Sequence, residues 1–207
     1  MPERIFKYFP ELDDIRKDKL RYLKPIYDDW NKKINVISRK DMDNFYIHHV
    51  LHSLSIAKII SFRPSTRILD VGTGGGFPGI PLAILFPEAE FILLDSVAKK
   101  IKVVKSVAEN LDLKNVHTLI KRAEDEKGSY DFVVSRAVTE FKSFVKITSK
   151  NIAVESRNSL RNGIIYLKGG DISGELAGFS DRVRIWNIKD FFIEEFFETK
   201  KIVYLPF

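Results

Sequence analysis

From Leu20 onward, apolar residues recur at steps of three and four (Leu20, Leu23, Tyr27, Trp30, Ile34), the stripe of an amphipathic helix laid on a core. Pro25 falls inside that stripe and predicts a kink or the meeting of two shorter helices, because proline removes an internal hydrogen bond and crowds the preceding turn. Phe45, His49, His52, Ile56 and Ile60 carry a helical period through residues 41–61, with Asp41 placed as an N-cap. Near residue 68 the pattern changes. Ile68, Leu69 and Val71 form the short apolar run of a strand covered on both faces, the glycines at 72, 74, 75 and 76 follow, and Gly79, Ile80 and Pro81 open a helix. Further strands are expected at 91–94, 116–120, 130–134 and 164–167, with Asn162-Gly163 as a turn before the last of these. Val97, Ile101, Val104, Ala108 and Leu111 mark a helix face on the sheet. The tail alternates at 182–188 and 201–205, which suggests two strands closing the sheet. Strands alternating with helices imply an α/β fold around a parallel sheet, here domain 63–207 behind an N-terminal helical extension, 1–62, the two forming one compact unit.

A strand, a glycine turn and a helix start in immediate succession form the arrangement of a nucleotide site. Glycine is required in such a turn for positive φ and for close approach of a ligand to the backbone. Two ligand classes compete. Gly74, Gly76 and Gly79 satisfy G-x-G-x-x-G, the dinucleotide pattern of a nicotinamide-dependent oxidoreductase. The register Asp70, Gly72, Gly74, Gly76 instead sets a carboxylate where it would repel a pyrophosphate but can orient a loop around a sulfonium or its amino group, which favours S-adenosylmethionine. Asp95, at the end of the next apolar run, stands where an acid caps ribose hydroxyls in either case.

The stretches D-V-G-T-G-G-G-F-P-G-I-P-L-A from Asp70, L-L-D-S from Leu93, S-R-A from Ser135 and L-K-G from Leu167 occur here in order. Together they resemble the bacterial small-subunit ribosomal RNA methyltransferase family RsmG, also called GidB. Trp30-Asn31 through Asn35-Val36-Ile37-Ser38 is similar to that family's W-N-x-x-x-N-L-T stretch. The resemblance implies a class I, Rossmann-like methyltransferase sheet ending in an antiparallel pair, and transfer of a methyl group from S-adenosylmethionine to N7 of a guanine in 16S ribosomal RNA. It places Gly72, Gly74 and Phe77 at the methionine end of the cofactor, Asp95 on the ribose, Ala123 and Glu124 at the adenine, and Arg136 as a further cofactor contact. Arg122, Arg136 and Lys168, at strand ends around the pocket mouth, are candidates for the guanine O6 or neighbouring phosphates. No residue among the matched positions stands as a general base, and no metal is required. The family's R-H-x-x-D-S reads His48-His49-Val50-Leu51-His52-Ser53 here, so two histidines replace an arginine and an aspartate.

His48 and His52 lie four apart and could seat a metal, but without a third ligand they read better as packing or RNA-facing groups. Lys99, Lys100, Lys102 and Lys105 are left on the outer face of the helix after Asp95, either solvated or bound to phosphates. The formal charge of +6 is carried by residues 1–62 and 63–150, which suits a polyanionic partner. The absence of cysteine excludes disulfides and thiolate metal sites. No apolar stretch has the length of a signal core or a membrane span, so a soluble, cytoplasmic protein is expected; a monomer is expected as well. A non-catalytic, cofactor-binding RNA chaperone is the competing class of function.

Overall fold

The computed structural model of the chain describes residues 2–136 and 139–207, so Ala137 of the Ser135-Arg136-Ala137 motif lies outside the described residues. Helices α1 (Glu3–Tyr8) and α2 (Asp14–Asn31) open the chain, and the Asp13 carboxylate caps α2 by accepting from the Arg16 N–H at 2.8 Å. Leu20, Leu23 and Tyr27 are buried as the stripe predicts. Pro25 does not divide the helix. The carbonyl it would leave without a donor one turn earlier, that of Arg21, accepts the Tyr46 hydroxyl at 2.9 Å, so the hydrogen bond lost to proline is replaced from another segment.

The single helix expected over 41–61 is a series of short windings: a tight turn at Arg39–Asn44, a wide π turn at Tyr46–Leu51, α3 (His52–Leu54) and a second tight turn at Ser55–Lys58. The expected stripe is nevertheless buried, Phe45, Ile56 and Ile60 almost completely and His49 and His52 nearly so. Asp41 lies inside the first turn rather than at a cap.

The central sheet is built from β1 (Arg67–Val71), β2 (Glu90–Asp95), β3 (Val116–Ile120), β4 (Phe132–Arg136), β5 (Gly163–Gly169), β6 (Arg184–Asn187) and β7 (Lys200–Pro206). Its order is β3-β2-β1-β4-β5-β7-β6. The first five strands in sequence are parallel, and β7 runs antiparallel to both β5 and β6, so β7 alone is reversed within the expected antiparallel pair. Gly163 belongs to β5 and not to a turn. A Cβ there would lie 2.3 Å from the Leu205 carbonyl oxygen on β7, so only glycine lets the two backbones meet.

Alternation along the strands divides the core. Ile68, Phe91, Leu93, Phe132, Val134 and Ile165 face α2, α4 (Gly79–Leu85), α5 (Ala98–Asn110) and the 39–58 windings, whose buried residues join them in one cluster with α1. Leu69, Val71, Ile92, Leu94, Val133 and Ile164 face α6 (Phe141–Thr148) and α7 (Ser173–Leu176) through Phe141, Phe144 and Leu176. The N-terminal extension and the sheet thus share a core. Val97, expected on the buried face of α5, precedes the helix and is 43% exposed. No helix among the described residues is long and apolar enough to cross a membrane.

Candidate active site

The glycine loop after β1 turns through positive φ at Gly72 (67°), Gly74 (58°) and Gly76 (100°). Asp70 is fully buried beneath it. Its Oδ2 accepts the Thr73 hydroxyl at 2.6 Å and the Gly79 N–H at 2.8 Å, while Oδ1 has no partner among the described residues. The carboxylate therefore staples the loop to the start of α4 from below, and burial pushes its pKa up to about 7. Gly79 completes a packing contact: a Cβ there would lie 2.8 Å from both Asp70 Oδ2 and the Leu93 side chain. From the other side, the buried Tyr27 hydroxyl of α2 donates to the Gly75 carbonyl at 2.5 Å. Tyr27→Phe is expected to lower the free energy of unfolding by about 1–2 kcal/mol, because it leaves the Gly75 carbonyl in an apolar setting without that donor. Denaturant titration measures the change, and a variant as stable as the parent would show that the contact contributes nothing.

A cleft of about 600 Å³ opens at the carboxyl ends of β1 to β4. Of the expected site residues, Gly72, Asp95, Arg122, Ala123, Glu124 and Arg136 line it together. Asp95 is 6% exposed; its Oδ2 accepts the Gly74 N–H at 3.0 Å and its Oδ1 the Val97 N–H at 2.9 Å. The carboxylate is thus fixed by backbone donors, and each oxygen retains acceptor capacity toward the cleft. Gly74 joins the site through that bond. Lys100 stands 3.9 Å from Asp95, whereas Lys99, Lys102 and Lys105 point outward on α5. Ala123 and Glu124 lie in a tight turn after β3, and Arg122 is exposed with no ion pair to another described residue.

The side chains of two expected residues make other contacts. The Phe77 side chain is 3% exposed and packs on Tyr27, Phe45 and His49 rather than lining the cleft. Lys168 forms an ion pair with Glu175 at 2.8 Å, and Glu175 also accepts the Phe141 N–H at 3.0 Å, so this pair ties the end of β5 to the starts of α6 and α7. Lys168 does not line the cleft.

Arg136 is held by the Tyr46–Leu51 turn and by Phe77. Its Nη1 donates to the His48 carbonyl at 3.0 Å, its Nη2 to His49 Nδ1 at 2.9 Å, and its guanidinium lies 5.2 Å over the Phe77 ring. Since arginine only donates, His49 Nδ1 accepts, and the His49 proton sits on Nε2, 2.6 Å from Asp41 Oδ2. Burial, reinforced by the charge of Arg136, pulls the His49 pKa down to about 4, and burial likewise holds His52 well below the usual histidine value. Burial also lowers Arg136 itself to about 10. Asp41, His49 and Arg136 form a chain of contacts from the N-terminal windings to the cleft. Asp41 carried no local signal for this, since its partners lie seven and eight residues on. No group of His, Cys, Asp and Glu suited to a metal ion occurs among the described residues.

A family model described as rRNA small subunit methyltransferase G matches residues 16–203. The chain belongs to that family. The ribosomal RNA small subunit methyltransferase G of Flavobacterium johnsoniae is 54% identical over 204 residues, covering 99% of this chain and 97% of that protein. The enzyme of the same name from Bacteroides thetaiotaomicron is 54% identical over 202 residues, covering 98% of each. Among solved structures, an S-adenosylmethionine-dependent methyltransferase from Aquifex aeolicus superposes with a TM-score of 0.58 at 15% identity, covering 83% of this chain and all of the other, which establishes the class I methyltransferase fold.

Proposed function

We propose that the chain transfers a methyl group from S-adenosylmethionine to N7 of a guanine in 16S ribosomal RNA, free or within the small-subunit particle, as a cytoplasmic monomer. The observation that carries this reading is the convergence of Gly72, Asp95, Ala123, Glu124 and Arg136 on one cleft in a member of this family. Neither the nicotinamide-dependent reading nor a non-catalytic chaperone has an observation in its favour, and Gly79, which completed the dinucleotide pattern, is accounted for by packing on Asp70 and Leu93.

The residues fit the cofactor. Asp95, fixed by two backbone donors, would accept both ribose hydroxyls, and such charge-assisted bonds are roughly twice as strong as neutral ones. The backbone of Gly72 and Gly74 would border the methionine end, and the turn at Ala123–Asp125 would read the adenine edge. When bound, S-adenosylmethionine supplies an electrophilic methyl group on a sulfonium. Neutral guanine N7 offers a lone pair and no proton, so the chain needs no general base and acts chiefly through alignment, which can supply ~7–11 kcal/mol of a barrier. The nearby histidines agree: His49 and His52 are held neutral far below pH 7.

Methyl-label incorporation into small-subunit RNA from cells lacking this protein, followed by mapping of N7-methylguanine, tests the function, and an unlabelled RNA would overturn it. With both substrates saturating, the single-turnover rate is expected to vary less than about twofold from mildly acidic to mildly alkaline pH. A single-proton ionisation in that rate, abolished by replacing one histidine with glutamine, would instead indicate an acceptor whose proton must leave.

A further inference from the structure

Arg136 divides the carboxyl edge of the sheet. On one side the cleft covers the ends of β1, β2 and β3, with Asp95 and Ala123 in its wall. On the other side the π turn Tyr46–Leu51 and the turn Glu195–Phe197 set His48 face to face with Phe196, ring centroids 3.9 Å apart and planes 17° from parallel. Lys200, paired in register with Gly169 at the end of β5, brings its ammonium within 4.7 Å of the Phe196 ring centroid. The stack is one guanidinium away from the cleft, because Arg136 Nη1 donates to the His48 carbonyl.

The polar edge of His48 is defined as well. Its Nδ1 lies 2.5 Å from Asp41 Oδ1, and a carboxylate only accepts, so Nδ1 carries a proton and, in the neutral ring, Nε2 presents a lone pair. Among the described residues Nε2 has no hydrogen-bond partner, and the side chain is 24% exposed. Among the described residues Lys200 is in no ion pair, while Asp41 is engaged by the two histidines, Glu194 by the Tyr8 hydroxyl and Glu198 by Lys189.

We infer that His48, Phe196 and Lys200 form the contact surface for an unpaired nucleotide of the RNA substrate, the base against the ring pair and a phosphate at Lys200. This rests on the RNA methyltransferase reading. Single-stranded RNA is recognised by stacking of splayed bases on aromatic and histidine planes, and an acceptor such as His48 Nε2 can take a base N–H or the ribose 2′-hydroxyl that DNA lacks. The position suits an acceptor substrate: with the cofactor over β1 to β3, the ends of β4 and β5 are the remaining part of the ligand-binding edge.

The test is fluorescence anisotropy of the full chain, saturated with S-adenosylhomocysteine, on a single-stranded RNA, the same RNA in a duplex, and the equivalent DNA. His48→Ala should weaken single-stranded RNA binding about tenfold, with a smaller effect on the duplex and the DNA. Lys200→Gln should reduce the dependence of log affinity on log salt by about 0.7. Calorimetry should show unchanged S-adenosylhomocysteine affinity in both variants. If His48→Ala does not fold, Phe196→Leu, which keeps apolar bulk and removes the stacking plane, takes its place. Parental RNA affinity and salt slope, an equal loss on all three nucleic acids, or a parallel loss of S-adenosylhomocysteine binding would each overturn the assignment. Failure of the underlying reading is distinguishable, because then the parent chain itself would leave small-subunit RNA unmethylated.

Discussion

Asp95→Ala is expected to weaken S-adenosylhomocysteine binding by about 1.5–3 kcal/mol, the range for a lost charge-assisted hydrogen bond, and to reduce stability by roughly 1–2 kcal/mol. The two effects have separate origins. The loss of stability follows from the Gly74 and Val97 N–H groups, which lose their acceptor whether or not a ligand is present. The loss of affinity follows from the remaining acceptor capacity of the same oxygens toward the cleft, in the proposed ribose role. Asp95→Asn, which keeps one acceptor oxygen and no charge, should fall between parent and alanine variant in affinity. Calorimetry beside thermal melts separates the terms. If Asp95→Ala melts lower but binds as the parent does, Asp95 is only the structural clamp of the glycine loop and the start of α5.

Strands were legible wherever burial on both faces left a run of apolar residues, and 116–120 coincides with β3 residue for residue although that edge strand is half exposed. What escaped was set by partners distant in the chain. Pro25 left two readings open because the donor that compensates it is Tyr46, far along the sequence. Asn162-Gly163 has the composition of a turn, but the need for glycine comes from Leu205 on a strand formed much later. The stripe of Phe45, His49, His52, Ile56 and Ile60 gave the buried face correctly and the winding wrongly, since a π turn and an α turn bury nearly the same side chains. At the site, Asp95 was visible through its distance from the glycine turn and Asp70 through its place at a strand end. The ion pair of Lys168 was not legible because its partner Glu175 lies beyond the strand, nor the contacts of Asp41, because its hydrogen bonds cross from one turn to the next.

Asp70→Asn is expected to change how both stability and cofactor affinity respond to pH. Burial raises the Asp70 pKa in the folded chain to about 7, against 3.8 for an ordinary aspartate, so the folded state holds a proton that the unfolded state has released. Stability from this group is complete below 3.8, is lost between 3.8 and about 7 at up to about 1.4 kcal/mol per pH unit, and changes no further above that. His49 and His52 act in the opposite sense. Their folded pKa values lie below 6.5, so their contribution is present above 6.5 and is lost as pH falls beneath it. The parent chain should therefore be most stable near pH 6.5, and Asp70→Asn should remove the small decline between 6.5 and about 7 while steepening the acid side. Cofactor binding should run the other way. A sulfonium near the loop favours the Asp70 carboxylate, so S-adenosylmethionine should bind more tightly from pH 6 to pH 8, by about tenfold for each unit its presence lowers that pKa. S-adenosylhomocysteine, which lacks the sulfonium charge, should show little of this trend, and neither ligand should show it in Asp70→Asn. Equal pH dependence for the two ligands in the parent chain would show that Asp70 does not sense the sulfonium, leaving it as a staple of the loop alone.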